Sequence, residues 1–184
     1  MIKFLGSFEK VSDLPRAMRP EYAFIGRSNV GKSSLINAIV GAPVARTSNT
    51  PGRTQSLNLF DVDGRVVIAD LPGYGYAKVS KTEAMRWLQR LEEYLLNRRQ
   101  LTRLFILIDS RIGPRDSDLD LMDFCDANGI HYQIVYTKAD KRVRETKQIE
   151  LSHTDHGAMA VEIFRTSAEK KTGIEPLRAI IGIK

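Results

Sequence analysis

The run GRSNVGKS at residues 26–33 constrains the fold of this 184-residue chain more than any other segment. It follows an apolar run at residues 22–25 and precedes an amphipathic run at residues 35–40, an order that predicts strand, loop and helix. Its glycines let successive backbone N–H groups point inward, Lys32 adds a charge for outer phosphates, and Ser33 offers a hydroxyl to a metal. The pattern predicts a phosphate-binding loop, although similar glycine-rich turns also arise by chance.

A second motif, DLPG, occupies residues 70–73 directly after the apolar run at residues 66–69. Asp70 therefore falls at the C-terminal end of a predicted strand, where a carboxylate can hold Mg²⁺ through a water molecule. The N–H of Gly73 can approach a γ-phosphate at the same place. An aspartate before Pro-Gly is also common in simple turns, and that alternative stays open for this motif alone.

The motifs TKAD at residues 137–140 and SAEK at residues 167–170 complete a pattern for reading a base. Asp140 can accept hydrogen bonds from the ring N–H and the exocyclic amine of guanine, donors that adenine does not present on that edge. A site built on such an acceptor rejects a base without those donors by roughly 10⁴-fold. Lys138 can lay its stem along the base, and the Ala168 N–H can donate to the guanine oxygen. Seen alone, TKAD could be a surface turn, but the four ordered motifs together predict a guanine nucleotide with Mg²⁺.

With these motifs the chain resembles the translation-factor-related GTPases of the TrmE-Era-EngA-EngB-Septin-like superfamily. More narrowly it resembles the EngB family, also called YihA or YsxC, of bacterial ribosome-assembly GTPases. The segments that look most like this family are NTPGRTQ at 49–55, DLPGYGY at 70–76 and DSRIGPRDSD at 109–118. The resemblance covers nearly the whole chain and implies a single GTP-binding domain over residues 1–184, with residues 1–20 as a lead-in.

The resemblance also implies roles for individual residues. Thr54 is the expected switch residue that contacts Mg²⁺ and the γ-phosphate, with Thr47 and Thr50 as nearby alternatives. The expected catalytic residues are Lys32, Thr54, Gly73 and Asn29, and the expected Mg²⁺ ligands are Ser33 and Thr54 directly and Asp70 through water. The full expected nucleotide-binding set is Gly26, Arg27, Ser28, Asn29, Val30, Gly31, Lys32, Ser33, Gly52, Arg53, Thr54, Gln55, Ser56, Asp70, Leu71, Pro72, Gly73, Thr137, Lys138, Ala139, Asp140, Thr166, Ser167 and Ala168.

Hydrolysis is expected to be slow without help, because the chain departs from the Ras pattern at one position. Ras has a glutamine after Asp-x-x-Gly that orients the attacking water, whereas this chain has Tyr74 there. Related GTPases with asparagine at the position of Asn29 use it to help bind K⁺, which supplies positive charge near the phosphates. We therefore expect K⁺ to accelerate turnover through Asn29, the alternative being that Asn29 only stabilises its loop.

Apolar strands alternate with helical patterns along the chain, which predicts a three-layer α/β/α fold of the Ras-like, P-loop GTPase type. The dipeptide Asp63-Gly64 predicts a hairpin, so one antiparallel edge strand should join a mostly parallel six-stranded sheet. Residues 1–20 could add a further N-terminal strand. Strands are expected near Tyr22, Ser56, Arg65, Leu104, Tyr132 and Val161, and helices from about Lys32, Lys81, Ser117, Thr146 and Gly173.

Charge points to a nucleic-acid partner. The net charge is +6 and the sequence pI is about 9.5, and basic residues cluster in two places. One cluster comprises Lys138, Lys141, Arg142, Arg144 and Lys147, and the other Arg86, Arg90, Arg98, Arg99 and Arg103. The family resemblance implies rRNA and ribosomal proteins of the large subunit or its precursor, and no DNA. Solvated helix faces are the alternative explanation for both clusters.

The remaining features fit a cytoplasmic protein, expected to be monomeric. Apolar stretches reach only strand length, which predicts no membrane span. The lone Cys125 falls in an amphipathic helical pattern and is expected in or near the core, as is Trp87. Residues 41–53 and 72–80 have the composition of mobile loops and are expected to order around γ-phosphate and Mg²⁺, although both could be ordinary surface loops.

The function expected from these observations is that of a molecular switch. The chain should hydrolyse GTP to GDP and phosphate during assembly of the large (50S) ribosomal subunit, with effects on cell division and septation. Two alternatives stay open: a septation factor that acts through protein partners, and a P-loop nucleotide kinase.

Overall fold

The computed structural model of the protein describes residues 1–16, 19–45, 56–74, 80–141 and 163–183. The strands are β1 (Ile2–Phe8), β2 (Glu21–Gly26), β3 (Leu57–Val62), β4 (Val66–Asp70), β5 (Leu101–Asp109), β6 (Tyr132–Thr137) and β7 (Ile163–Arg165). The helices within these ranges are α1 (Lys32–Val40), α2 (Lys81–Asn97), α3 (Asp116–Ala127) and α4 (Ile174–Ile181), with a short 3₁₀ helix at Val11–Asp13. The helix predicted from about Thr146 lies outside the described residues. None of the helices in the described ranges is long and apolar enough to cross a membrane.

The strands form one sheet in the order β1-β3-β4-β2-β5-β6-β7. Strands β4, β2, β5, β6 and β7 run parallel, while β3 is antiparallel to β4 and β1 is antiparallel to β3. The prediction of a mostly parallel α/β sheet with one antiparallel strand is confirmed. The additional N-terminal strand also forms, and because β1 pairs with β3, it is β1 that lies at the sheet edge.

The hairpin predicted from Asp63-Gly64 joins β3 to β4. Asp63 has φ 55° and Gly64 has φ 66°, so both central residues lie in the left-handed region that a tight two-residue hairpin requires. Aspartate and glycine adopt this conformation at low cost, which explains why this dipeptide reverses the chain here.

Each face of the sheet carries its own hydrophobic core. On one face α1 and α4 pack over the sheet, with Phe24, Ile36 and Leu177 fully buried. On the other face α2 and α3 pack over the sheet, and Cys125 lies there without exposure. Burial raises the pKa of the Cys125 thiol to about 12, which keeps it protonated at neutral pH and agrees with its predicted role as core filler.

A buried ion pair anchors α2 to the N-terminal end of β2. Glu21 is 0 % exposed and accepts hydrogen bonds from the Tyr94 hydroxyl at 2.5 Å and from Arg98 Nε at 2.9 Å and Nη2 at 2.8 Å. Arg98 Nη1 also donates to the Pro15 carbonyl at 2.9 Å. Arg98 belongs to one of the two basic clusters that the sequence analysis offers for nucleic-acid binding. Its side chain is only 7 % exposed and instead holds the end of α2 to β2.

Candidate nucleotide-binding site

The predicted motifs meet along the C-terminal edge of the parallel strands. The phosphate-loop sequence follows β2, DLPG follows from β4, TKAD begins at the end of β6, and SAEK follows β7. Ligands bind at this edge in open α/β sheets, because loops from neighbouring strands converge there. Topology alone thus gathers four segments that are far apart in sequence.

The loop between β2 and α1 depends on two glycines for different reasons. A Cβ at Gly26 would lie 2.9 Å from the Leu107 carbonyl oxygen and 2.9 Å from Val30 Cγ1, so a side chain there would collide with β5. Gly31 has φ 101° and forms the N-terminal cap of α1. The helix begins at Lys32, so its free N–H groups and positive dipole end face the loop, as an anion requires.

Lys32 and Asp70 form an ion pair across the site. Their side chains are 11 % and 6 % exposed, so both charges are largely buried and each compensates the other. Ser33 lies in the first turn of α1, directly after Lys32 in sequence. The described residues contain no cluster of three or more His, Cys, Asp or Glu side chains suited to a metal. A carboxylate and a hydroxyl nevertheless fit Mg²⁺, which keeps several waters and takes further oxygens from phosphates.

The segment after DLPG lies against the phosphate loop through backbone hydrogen bonds. The Tyr74 N–H donates to the Gly26 carbonyl at 3.3 Å, and the Ser28 N–H donates to the Tyr74 carbonyl at 3.1 Å. A Cβ at Gly73 would lie 3.0 Å from the same Gly26 carbonyl oxygen. Only a residue without a side chain fits between the two loops without displacing one of them.

The side chain of Tyr74 points into the core beneath α2 and α3. Its hydroxyl donates to Asp118 Oδ1 at 2.5 Å, and its ring packs against Trp87 with centroids 5.8 Å apart. Burial first, and then the Asp118 charge, raise the pKa of Tyr74 far above its ordinary value. Trp87 thus packs as predicted, and Tyr74 is a buried structural residue in this conformation.

The loop after β6 is tied to the phosphate loop by two side chains. Thr137 Oγ1 donates to the Val30 carbonyl at 2.5 Å, and Lys138 Nζ donates to the Asn29 carbonyl at 2.6 Å. Asn29 has φ 61° and Lys138 has φ 56°. Asparagine tolerates the left-handed region better than most residues, so the loop geometry itself favours asparagine at position 29.

The two base-reading loops are joined through Asp140. Ser167 Oγ donates to Asp140 Oδ1 at 2.5 Å, and the Ala139 N–H donates to the Thr166 carbonyl at 3.0 Å. The Ser167 hydrogen bond lowers the pKa of Asp140, with a further contribution from Lys141, so the carboxylate is ionised at neutral pH. An ionised carboxylate is the acceptor that the two guanine N–H donors require.

The structure adds a residue that sequence reasoning did not place in the site. Asp109, at the end of β5, accepts hydrogen bonds from Lys138 Nζ at 2.8 Å and from Arg111 Nη2 at 2.7 Å. It lies within the family-like segment at residues 109–118, but no spacing rule connects it to Lys138. The contact exists because β5 and β6 are neighbouring parallel strands, with Asp109 opposite Thr137 in register.

A groove of about 830 Å³ runs from these loops along α1 to α4. Its size suits a nucleotide-sized ligand. Among its lining residues are Gly31, Thr137, Lys138, Asp140, Thr166 and Ala168, all of which the sequence predicts as nucleotide contacts.

Several predicted site residues cannot be placed. Gly52, Arg53, Thr54 and Gln55, together with the alternatives Thr47 and Thr50, lie outside the described residues. Ser56 is described and lies half-buried directly before β3. The basic residues Arg142, Arg144 and Lys147 also fall outside the described ranges.

Comparison with known proteins identifies close relatives. A family model described as "50S ribosome-binding GTPase" matches residues 21–138. The "Probable GTP-binding protein EngB" of Cytophaga hutchinsonii is 42% identical over 97% of this chain and 93% of its own length. The protein of the same description from Hyphomonas neptunium is 46% identical over 97% of this chain and 86% of its own length.

Solved structures share the fold. The crystal structure of a probable GTP-binding protein engB has a TM-score of 0.73 at 22% identity, covering 87% of this chain and 96% of that one. The structure of Era in complex with MgGDPNP and nucleotides 1506–1542 of 16S ribosomal RNA has a TM-score of 0.67 at 24% identity, covering 89% of this chain and 56% of that one.

Proposed function

Because this chain belongs to the EngB family of GTP-binding proteins and is a GTPase, we propose that it acts as a nucleotide-controlled switch in assembly of the large ribosomal subunit. Its GTP-bound and GDP-bound states differ in the segments that follow α1 and DLPG, and one state binds the assembling subunit. The whole chain works as one GTP-binding domain and as a cytoplasmic monomer. Effects on cell division and septation follow when assembly of the large subunit is disturbed.

The observation that carries this proposal is that the phosphate loop contacts the DLPG and TKAD segments, and the TKAD segment in turn contacts SAEK. The phosphate loop forms hydrogen bonds with Tyr74 on one side and with Thr137 and Lys138 on the other. Thr137 and Lys138 belong to the TKAD segment, which ends at Asp140. A ligand with phosphates at one end and guanine at the other spans this arrangement. Asp140 reads the base, while Lys32 and the N–H groups before α1 hold the phosphates.

Magnesium belongs to the same proposal. Ser33 and Thr54 would offer hydroxyl ligands and Asp70 would hold the ion through water, and the ion would neutralise phosphate charge when bound. Since Lys32 pairs with Asp70 in this structure, entry of a metal and phosphates requires Lys32 to exchange the carboxylate for phosphate oxygens. Titration calorimetry with GDP, GTP and ATP, with and without Mg²⁺, tests both the metal site and the recognition of the base. Equal affinity for ATP and GTP would contradict the base-reading role.

The ribosomal partner is supported by charge and by the family description. The chain carries a net charge of +6, and Arg86, Arg99 and Lys141 are exposed. Basic residues that bind rRNA phosphates release counterions, so affinity should fall steeply with salt. Co-sedimentation with isolated large subunits should show retention with one nucleotide state, GDP or a non-hydrolysable GTP analogue, and loss of retention as salt rises. Retention that is independent of nucleotide would contradict the switch.

We propose further that K⁺ accelerates hydrolysis through Asn29. The side chain of Tyr74 is buried against Asp118, so it offers no group to orient the attacking water, and added positive charge near the phosphates would compensate. GTPase rates in equal concentrations of KCl and NaCl test this, with Asn29→Ala as the variant that should lose the difference. Equal rates in both salts would overturn it, and so would an Asn29→Ala variant that keeps its K⁺ response.

A further inference from the structure

Lys138 is held by two hydrogen bonds at its Nζ, and its stem lies against Gly31. Its Nζ lies 2.6 Å from the Asn29 carbonyl oxygen and 2.8 Å from Asp109 Oδ2. Its Cε lies 3.6 Å from where a Cβ on Gly31 would be, so the stem passes over that glycine. Its backbone adopts φ 56°, a conformation that most side chains avoid. A lysine this constrained presents a fixed apolar surface rather than a mobile charge.

Asp109 supplies the negative charge that fixes the end of this lysine. Its carboxylate is 8 % exposed and accepts four hydrogen bonds from two residues. Oδ1 accepts from the Arg111 N–H at 3.0 Å and from Arg111 Nε at 2.9 Å, and Oδ2 accepts from Arg111 Nη2 at 2.7 Å and from Lys138 Nζ at 2.8 Å. Arg111 thus contacts both oxygens and fixes the carboxylate, while Oδ2 also accepts from the lysine.

We propose that Asp109 is a positioning residue for guanine binding, which acts by holding Lys138 as the floor beneath the base. This inference rests on the proposed nucleotide site and adds a residue from β5 to it. Asp109 does not touch the nucleotide. Its carboxylate fixes the Lys138 ammonium, so the aliphatic stem is already in place when the base enters. The ordering cost of the lysine is then met before binding, which favours affinity.

A double-mutant cycle tests the proposal. Asp109→Asn keeps the shape of the side chain but removes its charge, and Lys138→Met keeps an apolar stem without the ammonium. We expect each single variant to weaken nucleotide binding about tenfold, because a charge-assisted hydrogen bond is lost. The loss should be the same for GDP and for a non-hydrolysable GTP analogue, because both ligands carry the same base. We expect the double variant to bind as weakly as Lys138→Met alone, since Asp109 acts through that lysine.

Asp61→Asn is the matched control. Asp61 also pairs with an arginine, Arg19, but lies on β3 near the sheet edge, so this variant should bind both nucleotides like the wild type. Circular dichroism at the assay temperature confirms that every variant is folded. Additive effects of the two substitutions, or unchanged affinity in Asp109→Asn, overturn the inference. If the wild type itself fails to prefer GDP over ADP, the proposed nucleotide site is at fault instead.

Discussion

The Tyr74 hydroxyl lies 2.5 Å from Asp118 Oδ1 and links the segment that follows DLPG to the first turn of α3. Asp118 is 1 % exposed, and its other oxygen accepts from the Arg115 N–H at 2.8 Å. Burial is the main cause of the raised pKa of Asp118, although its hydrogen bonds act in the opposite direction. The start of this segment is therefore fixed to the core in this conformation, and any rearrangement that includes Tyr74 has to break this bond.

Replacing Tyr74 with phenylalanine should cost stability without a comparable loss of activity. The variant leaves a buried acceptor on Asp118 without its donor, a change that costs about 1–3 kcal/mol. The rate of GTP hydrolysis should stay within about twofold of wild type, because the hydroxyl is engaged in the core. Urea unfolding and single-turnover hydrolysis measure the two effects. Tyr132→Phe, whose hydroxyl is 3.3 Å from Asp126 Oδ2, is the control and should cost less. A tenfold slower hydrolysis in folded Tyr74→Phe would refute this assignment.

Removing the Arg98 side chain should destabilise the fold strongly. Arg98→Ala leaves the carboxylate of Glu21 buried with only the Tyr94 hydroxyl, and breaking a buried pair in this way costs roughly 3–5 kcal/mol. The exposed neighbour Arg99 provides the control, since Arg99→Ala should change stability by no more than about 0.5 kcal/mol. Folded Arg98→Ala should still bind GDP normally, because Glu21 and the phosphate loop lie at opposite ends of β2. Similar unfolding midpoints for the two variants would contradict the anchor.

Changing Asp140 should alter which base is bound. Asp140→Asn replaces one of the two acceptor oxygens with an amide donor, which suits xanthine, whose 2-oxo group takes the place of the guanine amine. Affinity for GDP should fall by roughly 10³-fold or more, while XDP should bind better than it binds to the wild type. Competition between the two diphosphates measures the change. Unaltered preference for GDP would mean that Asp140 does not face the base.

Acid should remove the contribution of Asp109 to stability. Burial disfavours ionisation of Asp109, but hydrogen bonds from Arg111 and Lys138 outweigh it and lower the pKa from 3.8 to about 2. A pKa that is lower in the folded state stabilises the protein above about pH 4, and this stabilisation is lost as the pH falls toward 2. Asp109→Asn should be less stable than wild type at pH 7, and the gap should narrow between pH 4 and pH 2. Urea unfolding at a series of pH values measures the difference in free energy of unfolding between the two proteins. A difference that does not change with pH would show that the charge of Asp109 does not contribute to stability.

The local motifs were predictable because each depends on neighbouring residues. The glycines of the phosphate loop, the Asp63-Gly64 hairpin and the apolar strand before Asp70 each carry their own backbone or hydrophobic signal. The same reasoning predicted the parallel sheet and the burial of Cys125. What links them is that spacing along the chain sets the structure directly.

The side-chain contacts between distant segments were not predictable in this way. Asp109 contacts Lys138 because β5 lies beside β6, and Glu21 contacts Arg98 because β5 lies beside β2. Asp118 contacts Tyr74 because β4 also lies beside β2, on the side away from β5. Arg98 shows the difficulty most directly, because a basic run on an amphipathic helix gives no sign that one member turns inward to a buried carboxylate. Such pairs need the topology before they can be inferred.

The contacts of Glu21 with Tyr94 and Arg98 also fix the C-terminal end of α2. With 17 residues at 1.5 Å each, α2 is about 25 Å long, fastened near its C-terminal end and beginning beside the segment that follows DLPG. Any rotation of α2 about this anchor would move its N-terminal end furthest. A tilt of about 10° at Glu21 would displace the Ser80 end by about 4 Å.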